Sequence, residues 1–138
     1  MAKNYNIQTV SEHQAADAAA SQTITIGPIV PAGMTRYVTF IRVTPLTSAN
    51  DEGSKVYFCS GTVGVATLVD AASATKKMVV CIASETSANF KEVMIPPSGP
   101  DTEHPLFTIA SGAYLRSHLT SAAVSDGSAI VFVQYYDE

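Results

Sequence analysis

The sequence has no tryptophan, two cysteines, three histidines and few charges, and each shortage closes off a class of function. Charged residues make up 14% of the chain, against about 25% in an average soluble domain. Ser, Thr and Ala must therefore cover much of the surface, which suits packing against protein better than life as a free monomer. The eight Lys and Arg are scattered and the net charge is −4, so no basic patch exists to neutralise phosphates and no nucleic-acid partner is expected. Two thiols cannot build a zinc site, and no Cys-x-x-Cys spacing offers redox chemistry. Cys59 and Cys81 each lie in an apolar run, where reduced core thiols are expected and a cross-strand disulfide is the alternative. No apolar stretch reaches the length of a signal peptide or a membrane span. The expectation is a protein made and kept without export, with no membrane partner.

The histidines are distributed as His13, His104 and His118. No Gly-x-Ser-x-Gly elbow, His-Glu-x-x-His pair, phosphate-binding loop or dinucleotide glycine fingerprint accompanies them. No enzyme activity, catalytic residue, cofactor or metal is expected.

At 138 residues the chain fits one domain with a core of its own. What fills it is alternation. Thr23-Ile-Thr-Ile26 reads as a strand with one wet face, punctuated by Gly27-Pro28 and the turn Ile29-Val-Pro-Ala-Gly33. Met34–Val43 follows, with Tyr37, Ile41 and Val43 expected to point inward and Pro45 to end the strand. Lys55–Cys59, Val65–Val69, Lys76–Ile82, Phe90–Ile95, Leu106–Ile109, Tyr114–Leu119 and Ala129–Tyr136 complete the set. Asp70–Thr75 reads as a short loop or a single helical turn. Pro96, Pro97, Pro100 and Pro105 exclude a central strand between them and mark a long loop. The predicted fold is all-β, an antiparallel β-sandwich of jelly-roll type spanning residues 23–138. Residues 1–22, Ala-rich and without a sustained apolar stripe, form an N-terminal arm. Ser11 could cap a short helix there, or Asn4–Val10 could run as an anchoring strand. The arm is expected to be mobile in isolation and to order on docking, so that its loss leaves the melting temperature nearly unchanged.

Three polar constellations read more simply as structure. Asp101, Glu103 and His104 stand beside rigid prolines and offer oxygen and nitrogen ligands, yet three polar residues in a loop are usually solvated. Asn50-Asp-Glu52 lacks the spaced ligands of a calcium loop. Gly61-Thr-Val-Gly64 has the spacing of a nucleic-acid clamp without its charge, and reads as a turn. The tyrosines at 5, 37, 57, 114, 135 and 136 could include a sugar platform, which the absence of tryptophan weakens.

Ile29-Val-Pro-Ala-Gly33 before a long strand, and Gly112-Ala-Tyr-Leu115 before a final strand ending in Tyr135-Tyr136-Asp-Glu138, resemble the small β-sandwich structural proteins of tailed bacteriophages, the capsid decoration (cement) proteins and related head or fibre modules. The resemblance covers residues 23–138 as a pattern and implies a non-enzymatic virion component, commonly trimeric, placed on a capsid lattice. The partners expected are further copies of the chain and a major capsid or other virion protein. Tyr5, Ile7, Val10, Tyr114 and Tyr136 are the candidate contact residues. A receptor- or glycan-binding module on a phage fibre is the alternative, and a small cellular β-domain the third.

Overall fold

The computed structural model describes residues 3–15, 22–45, 55–61, 76–81, 92–120 and 128–138. These hold nine strands: β1 (Gln8–Ala15), β2 (Gln22–Ile26), β3 (Arg36–Pro45), β4 (Lys55–Gly61), β5 (Lys76–Cys81), β6 (Val93–Ile95), β7 (Phe107–Ile109), β8 (Tyr114–Thr120) and β9 (Ser128–Asp137). Every pairing between them is antiparallel. One sheet runs β1-β9-β3-β6, with β7 also on β3; the other runs β2-β8-β4-β5. Among the described residues there is no helix. The antiparallel sandwich is thus the fold; β2 to β9 fall on expected strands, while β1 lies within the residues expected to form the arm. The expected Val65–Val69 strand, the turn at 70–75, Asn50-Asp-Glu52 and residues 62–64 lie outside the described residues.

Both sheets feed one core. Ile41, Val43, Val131 and Val133 from the first sheet meet Ile26, Val56, Phe58, Leu115 and Leu119 from the second. Fully burying a side chain of this size contributes about 1.5–3 kcal/mol, so these alternating positions hold the layers together. The chain crosses between sheets at 27–35 and again at 110–113, and the two crossings are clamped side by side. Val30 N–H donates to Ala113 O at 2.9 Å and Gly112 N–H to Val30 O at 3.0 Å. Ser111 Oγ donates to Pro31 O at 3.1 Å while accepting from Gly33 N–H at 3.1 Å.

The inward face of β3 differs from simple alternation. The β3–β9 register shifts between Val38 and Phe40, so Thr39 is an extra residue, a β-bulge that changes the phase of everything beyond it. Val38, Ile41 and Val43 are core residues at 0% exposure, whereas Tyr37, expected inside, is half-buried on the other face. Thr39 itself is buried, its hydroxyl donating to Gln134 O at 3.1 Å. The bulge also holds the proline loop, since Leu106 N–H donates to Val38 O at 2.8 Å.

Two further expectations change. Residues 8–15 are an edge strand paired with β9 along their whole length, so Ser11 caps no helix and this part of the arm is folded against the body. Cys59 is buried, its Sγ 3.7 Å from Arg116 O, and the register sets Cys59 opposite Lys76 and Cys81 opposite Lys55. The register therefore puts the two cysteines at opposite ends of the β4–β5 pair, farther apart than a cross-strand disulfide spans.

Candidate functional site

The most elaborated surface is the seam where residues 3–8 meet the end of β9 and the start of β3. Its backbone frame is a reciprocal pair, Thr35 N–H to Glu138 O at 2.8 Å and Glu138 N–H to Thr35 O at 3.0 Å. On one face, Tyr136 lies between two rings: Tyr37 stacks on it at 5.0 Å and 11°, and Tyr5 tilts onto it at 4.5 Å and 47°. Such aromatic pairs each contribute about 0.5–1.5 kcal/mol beyond their buried area. The bulge makes this stack possible, because it leaves Tyr37 outside. Lys3 closes the stack, ion-paired to the Glu138 carboxylate and 5.5 Å over the Tyr5 ring. The Glu138 hydrogen bond raises the Lys3 pKa, keeping the ammonium charged. Tyr136 Oη donates to Thr102 O at 3.3 Å, tying the proline loop to the same seam.

On the opposite face of the same strands, Arg36 is 0% exposed. Its guanidinium takes Asp137 side-on, Nε to Oδ1 at 2.8 Å and Nη2 to Oδ2 at 2.7 Å, donates through Nη1 to Pro28 O at 2.7 Å, and lies 3.9 Å over the Tyr135 ring. Desolvation raises the Tyr135 pKa, offset in part by this positive charge; for Tyr136 desolvation is again the first cause. Beside the pair an open groove of about 270 Å³ is lined by Asn6, Gln8, Pro28, Pro31, Met34, Tyr135 and Asp137. Ile7, Ile29 and Met34, close to it in sequence, are 37–42% exposed.

Of the candidate contact residues, Tyr5 and Tyr136 are brought together in the stack, and Ile7 stands exposed between two groove residues. Val10 turns inward and packs against the core, beside Gly27. Tyr114 is on β8 in the other sheet, away from the seam. Sequence reasoning missed Lys3, Arg36, Tyr37, Asp137 and Glu138. Arg36 and Asp137 are 101 residues apart, and only the β3–β9 register makes them neighbours.

The Asp101–His104 cluster forms a local turn. Asp101 Oδ1 accepts from Glu103 N–H at 3.0 Å and His104 N–H at 3.2 Å, and Oδ2 meets His104 Nδ1 at 2.9 Å. The histidine bond holds the Asp101 pKa below its ordinary value. Among the described residues no three His, Cys, Asp or Glu side chains gather where they could hold a metal ion. The seam brings together fixed charges, stacked rings and apolar side chains. Comparison of the chain with protein-family models, characterised proteins and solved structures finds no match.

Proposed function

We propose that this chain is a non-enzymatic virion structural subunit, a capsid decoration protein that stabilises a shell through contacts among its own copies, as a homotrimer, and through its N-terminal segment. The observation that carries the reading is how β1 is attached. Among the described strands it ends its sheet, paired with β9 alone. Of the side chains from Gln8 to His13 only Val10 is partly buried; the other five are exposed. A strand held chiefly by its backbone ladder keeps a polar outer edge open to pairing and costs little core packing when it shifts toward a neighbour. The exposed Ile7, Ile29 and Met34 near the groove supply the apolar part of such a contact, and the low surface charge favours it.

The glycan-binding alternative draws less support. The groove contains one tyrosine, Tyr135, which is 4% exposed and has the Arg36 guanidinium over its ring, leaving little aromatic face for a sugar. The test is mechanical: shells assembled without this chain, then mixed with it, should withstand a higher temperature before rupture, and shells that gain nothing would refute the decoration role.

A further inference from the structure

The chain's arginines are Arg36, Arg42 and Arg116, and among the described residues one of them is buried with no carboxylate against it. Arg36 is satisfied by Asp137, Pro28 O and the Tyr135 face, as described above. Arg42 keeps a side chain 41% exposed and lies 3.3 Å from Glu92, so water and a carboxylate balance it. Arg116 is 2% exposed. Among the described residues its Nε has no hydrogen-bond partner and no carboxylate pairs with it.

The position is built. Leu115 and Leu119 of β8 join the core, so the alternation turns Arg116 to the opposite face of the four-stranded sheet, with Thr25 of β2 and Cys59 of β4 beside it in register. The guanidinium lies flat over Gly61: a Cβ there would stand 3.2 Å from Nη1 and 3.3 Å from Cζ. Glycine leaves the seat that a side chain would fill. The Tyr114 ring lies 6.0 Å away. A guanidinium does not deprotonate in proteins, and an unpaired buried charge is strongly unfavourable unless an anion meets it.

We propose that Arg116, on its Gly61 seat, is a binding site for an oxyanion, a carboxylate or a phosphate, taken side-on by Nε–H and the adjacent Nη–H as Arg36 takes Asp137. The two-oxygen edge of either group matches that fork. This site is on the sheet opposite the seam and does not depend on the decoration reading.

The experiment follows the three arginine Nε–Hε resonances of the full ¹⁵N-labelled chain, with Arg116→Lys assigning one of them, during titration with sodium acetate or inorganic phosphate at ionic strength held constant with chloride. The Arg116 signal should move and saturate, while that of Arg36, already bonded to Asp137, stays. Saturation with acetate alone identifies a carboxylate site, with phosphate alone a phosphate site. The same anion should raise the melting temperature of the wild-type chain by a few degrees, about what saturating ligand gives, and that of Arg116→Lys not at all. An Arg116 signal that stays still with both anions, or drifts linearly alongside exposed Arg42, overturns the proposal.

Discussion

Arg36 and Asp137 stand opposite each other in the β3–β9 register and close a side-on ion pair at 2.8 and 2.7 Å, with the arginine side chain at 0% exposure and the carboxylate at 17%. The pair fastens the end of β9 to the start of β3, beside the tyrosine stack and the groove. Removing one member of such a pair leaves the other buried and uncompensated, at a cost of about 3 kcal/mol. Asp137→Ala should lower stability by about that amount in urea unfolding, and Arg36→Met with Asp137→Ala should lose less than Asp137→Ala alone.

Tyr135 and Tyr136 set the alkaline limb of stability. Burial holds both hydroxyls above the ordinary tyrosine value of 10.0, so the folded chain binds these protons more tightly than the unfolded one. The stability they contribute is complete below the unfolded value and is lost as pH rises through the folded values. Urea midpoints measured from about pH 9 to 11 should fall, and Tyr136→Phe should make the fall shallower.

Gly27 has φ +73°, and a Cβ built on it stands 3.3 Å from Val10 Cγ2. Gly27→Ala therefore meets both the left-handed backbone penalty of about 1–2 kcal/mol and the Val10 side chain, which packs inward from β1. Thermal unfolding should show the loss, and Val10→Ala should share it: the two effects should fall short of additive in the double variant, because each disturbs the same contact.

Ile41 and Val133 face each other in register at 0% exposure. A charge at either, as in Ile41→Asp or Val133→Asp, buries an unpaired ion in the core, and circular dichroism of the expressed chain should show loss of the fold.

The strands were legible because alternation with turn residues between is a local signal, and β2, β4, β5, β8 and β9 carry it plainly. Thr39 is where local reading stops. One inserted residue reverses the phase of β3, and nothing in Tyr37-Val-Thr-Phe40 announces it, since Val and Phe suit either face. The outward Tyr37 and inward Arg36 follow from that bulge, and with them the stack and the buried pair. β1 was obscure for a different reason: Gln8-Thr-Val-Ser-Glu-His13 has one buried apolar position, and its strand character comes from the β9 edge that it completes. The seam joins residues more than a hundred positions apart, a proximity that register creates and spacing does not contain.

The folded state of β1 also changes what truncation should do to the isolated protein. A chain lacking residues 1–15 exposes the β9 edge and loses the Tyr5 and Lys3 contacts, so its melting temperature should fall by several degrees, roughly what a loss of 1–2 kcal/mol gives in a domain of this size, instead of staying nearly constant.

The most direct test of the proposed shell contact through the N-terminal segment is co-sedimentation of the full chain and of Tyr5→Ala, Ile7→Asp and 1–15-deleted variants with shells assembled without the protein, at a temperature where each variant is folded. The account predicts that the full chain pellets with the shells, that Ile7→Asp and the deletion variant bind at least tenfold more weakly, and that Tyr5→Ala falls between them. Equal binding by the full and deleted chains would contradict it.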